Sequence, residues 1–154
     1  DLNSRGEFPL DENKFGYARM RQFGEKTAEE LEAALSKMER AGMKGFILDL
    51  RDNPGGTLPA AVEAANRFLS EGLIVTTRSR QGDTPYFADP KRTWPAMGLV
   101  VLIDRRTASA AEIVSGALQD HDRAVVIGQP SYGKGSAQSL YPLVSGGALR
   151  LTTA

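Results

Sequence analysis

The sequence contains no cysteine and a single histidine, His121. Without cysteine there can be no disulfide, no thiol nucleophile and no thiolate metal site. His121 stands between Asp120 and Asp122, just past a helical pattern, and reads as a solvated helix-end residue too close to that helix to fold back over its start. No His/Asp/Glu cluster has metal-ligand spacing, so neither a metal nor another cofactor is expected. Net charge is also absent, with 19 basic and 19 acidic residues. No global field points to nucleic acid or to an anionic lipid surface. The short basic cluster Arg78-Ser79-Arg80 is followed by Asp83 and reads as solvated surface. No apolar run approaches the ~18–20 residues that span a bilayer, and the opening Asp1-Leu2-Asn3-Ser4-Arg5 has no signal-peptide pattern. The one tryptophan, Trp94 beside Pro95, reads as a packing anchor.

What is present is enough apolar sequence for one domain: 41% of 154 residues are hydrophobic. Alternation over Phe15–Phe23 predicts a strand with Phe15, Tyr17 and Phe23 on one parity. Thr27-Ala28-Glu29-Glu30 matches a capping box opening a helix that buries Leu31, Ala34, Leu35 and Met38 and ends near Arg40. Strands are expected at 45–50, 74–77, 99–103 and 124–127. A helix after Gly56 has Leu58, Ala61, Val62, Ala65 and Leu69 on one stripe, and another over 109–119 turns Ala110, Ile113, Val114, Ala117 and Leu118 inward. The polar stretch 78–98 reads as a hairpin or a long loop. Segments 136–143 and 148–153 form a final β pair turning at Ser145-Gly146-Gly147. Strands separated by helices indicate an α/β fold with parallel pairing. Both ends of the sequence read as cut from a longer chain, with residues 1–14 a leader, in part foreign to the protein, and 15–154 the folded core.

Two segments carry chemistry. Thr107-Ala108-Ser109-Ala110 places a serine at the start of a helix, and Tyr132-Gly133-Lys134-Gly135 places a lysine in a glycine frame. A serine hydroxyl needs a base, and lysine serves only as the neutral amine, below its ordinary pKa of ~10.4, in a desolvated or cation-rich setting. Val125, Val126 and Ile127, with Gly133 and Gly135 packing around the stem, are expected to make that setting, with no acid within five residues. On one strand, Lys134 and Gln138 share a face. The Ala110 N–H at the helix start would stabilise an oxyanion, with a second donor from Gly55-Gly56. Glu112 reads as an exposed acid complementing the helix dipole. The plain alternatives are a simple N-cap at Ser109 and a solvated lysine at 134.

Four ordered blocks sharpen this reading: Gly16-Tyr17 with Phe23; Leu48-Asp49-Leu50-Arg51-Asp52-Asn53-Pro54-Gly55-Gly56; Thr107 through Asp120; and Arg123 through Gly128 with Tyr132 through Gln138. Together they resemble the carboxyl-terminal processing peptidases, or tail-specific proteases, a Ser/Lys family. The resemblance implies a crotonase/caseinolytic-protease-like spiral of ββα units. It implies Ser109 as nucleophile, Lys134 as general base, Gln138 as the residue orienting the lysine, and the Gly56 and Ala110 amides as the oxyanion hole. It implies protein substrates with exposed C-terminal tails, homo-oligomers built through other regions, and a periplasmic or cell-envelope location. Three departures stand out: Ala111 where many members have a second serine, Pro54 in place of a glycine, and no PDZ-like segment. Two rival readings are a P-loop at Gly128–Lys134, which lacks the following Ser or Thr, and a non-catalytic module binding a peptide or hydrophobic ligand on the same fold.

Overall fold

A computed structural model describes residues 14–154 except Pro95. The leader expected over residues 1–14 thus lies almost wholly outside the described residues. The elements run β1 (Phe15–Arg19), α1 (Thr27–Arg40), β2 (Gly45–Asp49), α2 (Leu58–Asn66), β3 (Leu73–Ser79), β4 (Gly82–Phe87), a 3₁₀ turn (Pro90–Arg92), β5 (Gly98–Ile103), α3 (Ala110–Asp120), β6 (Val125–Gly128), β7 (Gln138–Pro142) and β8 (Ala148–Thr152). β1, β2, β5 and β6 form a parallel sheet in that order. Two antiparallel hairpins, β3–β4 and β7–β8, stand apart from it. The α/β pattern and the parallel pairing across intervening helices are as the sequence indicates.

Burial follows the pleat. Gly16, Ala18 and Met20, then Phe46, Leu48 and Leu50, then Leu99 and Val101 are buried, in register across the sheet. The helices cover this face: a side chain at Gly16 would collide with Met38 of α1 and with Met43. Each leucine fully withdrawn here contributes roughly 1.5–3 kcal/mol. The opposite rows, Ile47, Val100 and Leu102, are half-buried, and Val125 and Ile127 are exposed. The expected parity of the first strand is therefore corrected. Phe15 is exposed and Tyr17 half-buried, while the alternate small residues Gly16 and Ala18 face the core; at Gly16 that space is filled by Met38 of α1 and by Met43, just past the helix. The strand ends at Arg19, and Phe23 makes only an isolated parallel bridge to Gly56.

The stripe expected on α1 is the one buried, but its capping box does not form. Lys26 is the N-cap, and Thr27 lies inside the helix, its hydroxyl accepting from the Gly24 N–H at 2.8 Å. In the 78–98 stretch the polar Gly82–Phe87 segment pairs with β3 as a hairpin. Trp94 is half-buried against the core and donates its indole N–H to Glu32. Arg123 ties the segment after α2 to the residue before β5, donating to the carbonyls of Phe68 and Met97, each at 2.9 Å.

Candidate active site

The serine turn is held from several directions. Thr107 is fully buried, and its hydroxyl donates to the Leu50 carbonyl at the end of β2. The Ala108 N–H donates to the Asn53 carbonyl at 2.9 Å, which presses the turn after β2 against the turn before α3. Gly55 sits at that contact. A Cβ there would come within 2.8 Å of both the Ala108 carbonyl and the Ser109 Cβ, so only glycine lets the two turns approach this closely. Ser109 has φ 55 and ψ −118, outside the ordinary regions for a residue with a side chain. Such geometry costs on the order of 1–3 kcal/mol and persists where its surroundings over-determine it.

Amide partners distinguish the two glycines. The Gly55 N–H donates to the buried Asn53 side chain at 2.8 Å, so it is spent. Gly56 pairs with Phe23 only through its neighbours: the Gly55 carbonyl accepts from Phe23 N–H, and Thr57 N–H donates to the Phe23 carbonyl. In a parallel bridge of this kind the Gly56 N–H points away from Phe23, and it has no acceptor among the described residues. Ala110 opens α3, and its N–H is one of the donors a helix leaves unpaired. Ser109, Gly56 and Ala110 all line one cavity of about 1200 Å³, bounded also by Leu58, Val75 and Ile113. Ile113, expected inward, is half-buried and faces this cavity as well as the core.

Lys134 and Gln138 line the same cavity, although not for the reason of strand alternation. β7 begins only at Gln138, and Lys134 lies in the irregular stretch before it. The expected dry niche is also absent among the described residues. Lys134, Val125 and Ile127 are exposed, and nothing packs where side chains at Gly133 or Gly135 would go. Gly133 instead supplies a left-handed turn, with φ +83. The segment after β6 continues as an irregular stretch, with no helix opening at Lys134, which removes the P-loop reading.

Glu112 departs most from expectation. It is half-buried, not an exposed acid, and it accepts four hydrogen bonds. One oxygen takes the backbone N–H of Ser109 at 2.7 Å and that of Lys134 at 2.9 Å. The other takes the Ser131 hydroxyl at 2.7 Å and the Gly133 N–H at 2.6 Å. Burial alone would raise its pKa, but these four donors outweigh that and lower it. The backbone nitrogens of Ser109 and Lys134 therefore lie no further apart than two hydrogen-bond lengths. A glutamate at the third helical position after a serine was the available signal; its partners, about twenty residues on, were not.

Near the site, Asp49 is fully buried at the end of β2. It accepts from Tyr17 Oη at 2.6 Å and from the Arg51 guanidinium at 2.7 and 2.9 Å. Burial pushes its carboxyl up, yet the Arg51 and Tyr17 bonds prevail and hold it at about 2. The pair braces the strand end from which the Asn53–Gly56 turn departs.

Comparison with known proteins gives the family. The chain is 48% identical over 149 residues to a carboxy-terminal-processing protease of Bartonella bacilliformis, covering 93% of this chain and 34% of that protein. It is 43% identical over 139 residues to a carboxyl-terminal-processing protease of Synechocystis sp., covering 90% and 33%. Among solved structures, the photosystem II D1 C-terminal processing protease superposes with a TM-score of 0.80 at 35% identity, over 90% of this chain and 36% of that one. The chain thus spans about a third of the length of the relatives it matches. With the sequence profile of peptidase family S41 matched across residues 14–154, and the mixed α/β architecture shared with its solved members, the chain belongs to that family.

Proposed function

We propose that this chain is the catalytic core of a serine endopeptidase that cleaves protein substrates near their C-termini, acting outside the cytoplasm. Ser109 is the nucleophile, Lys134 the general base, and Gln138 orients the lysine. The observation that carries this reading is that these three residues, Gly56 and Ala110 all line one cavity. In the reaction, the neutral Lys134 amine takes the proton of the Ser109 hydroxyl as Oγ bonds to the substrate carbonyl carbon. The carbonyl π electrons move to oxygen, and the Gly56 and Ala110 N–H groups receive that charge. Collapse breaks the C–N bond, with the lysine proton passing to the departing amine, and leaves an ester on Ser109. Water, deprotonated by the same amine, then releases the acid and restores the serine. Lys134 is exposed among the described residues, and a substrate filling the cavity displaces water from around the amine.

The test uses the full-length protein with a substrate ending in a disordered tail, products being identified by mass. Ser109→Ala and Lys134→Ala abolish cleavage while the fold persists. Lys134→Arg is equally inactive, because a guanidinium does not give up its proton. Normal turnover by the arginine variant rules out the lysine as base. Binding of the tail without any cleavage by the parent protein identifies a binding module instead.

A further inference from the structure

We propose that Glu112 is a positioning residue that sets the separation of nucleophile and base by binding the backbone of both. The inference rests on the Ser109/Lys134 reading above. A single Glu112 oxygen bridges the amide of Ser109 and the amide of Lys134, while its twin holds Ser131 and Gly133. The segment carrying Lys134 has little else to fix it. It belongs to no helix or strand, and Gly133, Lys134, Gly135 and Ser136 are all exposed. Its other nearby anchors are Tyr132 N–H on the Thr107 carbonyl, at 2.9 Å, and, beyond Ser136, Ala137, whose N–H donates to the Ala154 carbonyl and whose carbonyl accepts from Thr153 N–H. Ser109, for its part, holds a backbone conformation that a side chain disfavours. A carboxylate at the third position of α3 thus joins a strained turn to an exposed, irregular loop by four short bonds, in a geometry that only an acceptor with two oxygens can fill. The capping interaction, ordinarily local to one helix, extends here to a segment about twenty residues further along.

Glutamine is nearly isosteric but offers one oxygen and one NH2 group, so two of the four donors would meet another donor. In the full-length protein, Glu112→Gln lowers kcat by roughly 10²-fold, as expected for a displaced catalytic group, with KM little changed. Amide hydrogen exchange quickens at Gly133 and Lys134 but not at Val114 or Leu118 in the body of α3. Parent-like turnover overturns the proposal. So does loss of turnover with unchanged exchange at Gly133 and Lys134, or with exchange accelerated throughout α3, which marks a general structural defect. Should the glutamine variant not fold, Glu112→Asp keeps the charge at the helix start but draws the carboxylate back by a methylene. Slower turnover and faster exchange at the same two amides are then expected, and parent-like values again overturn the proposal. Ser109→Ala is assayed alongside: if it still cleaves, the Ser/Lys reading fails, whereas the exchange result for Glu112 stands separately.

Discussion

At the scale of single residues, the site depends on backbone placement as much as on side-chain identity. Gly56 shows this. Its φ of +152 is a region that L side chains rarely adopt, and a Cβ would run into the Phe23 carbonyl. The same bridge that crowds its α-carbon turns its N–H away from Phe23, and Gly56 lines the cavity. Gly56→Ala must therefore move either the turn or the Phe23 segment, and the amide moves with it. Loss of one oxyanion donor lowers kcat by about 10²–10³-fold. We expect a loss in that range together with a lower thermal midpoint, read by tail cleavage and by scanning calorimetry of the same preparation. A variant that unfolds at the parent temperature and keeps parent kcat excludes the Gly56 amide from the reaction.

At the scale of elements, Asn53 joins pieces distant in sequence. It is fully buried, donates to the Met20 carbonyl beyond β1 at 2.8 Å and accepts from Gly55 N–H. Asn53→Ala leaves both of those buried groups unpaired, at a cost of about 1–3 kcal/mol each. A lower urea midpoint with unchanged slope is expected, and an unchanged midpoint shows that the turn holds without it. The same contrast between local and distant partners explains what could be read in the sequence. Helix stripes such as Leu31, Ala34, Leu35 and Met38 were legible because their period is set within a few residues. The parallel order followed from the intervening helices. The buried parity of β1 was not legible, since Gly16 and Ala18 look featureless until Met38 and Met43 are placed above Gly16. Ser109 and Lys134 were legible as residue types, by their motifs. The role of Glu112 was not, because three of its four donors lie on another segment. The lysine environment was not legible for a related reason: the apolar residues before it, Val125 and Ile127, lie on the uncovered face of the sheet rather than around the amine.

For the whole molecule, acid sensitivity follows from where the charges sit. The sequence has no net charge, so long-range repulsion between like charges matters little near neutrality. Among the described residues, three carboxylates link folding to protons. Asp49 is buried, and its bonds from Arg51 and Tyr17 hold its pKa at about 2. Asp104, against the opposing effect of burial, is lowered by bonds from the backbone of Asp52, Arg106 and Thr107, and Glu112 by its four donors. A carboxyl with a depressed folded pKa binds fewer protons in the fold than in the unfolded chain. Its contribution is complete above the ordinary carboxyl range and is lost as pH falls through the folded value. Stability is thus expected to hold down to about pH 5 and then to decline steeply toward pH 2. Asp49→Asn tests the largest of these links. The neutral amide lacks the charge that Arg51 and Tyr17 bind, so the variant is less stable at pH 6 by about 1–3 kcal/mol. It has no such proton to gain, so its urea-unfolding free energy falls less between pH 5 and 2.5 and the two curves converge at the acid end. Curves that stay parallel over that interval show that the Asp49 proton is not linked to folding, and that the brace at the end of β2 rests on packing alone.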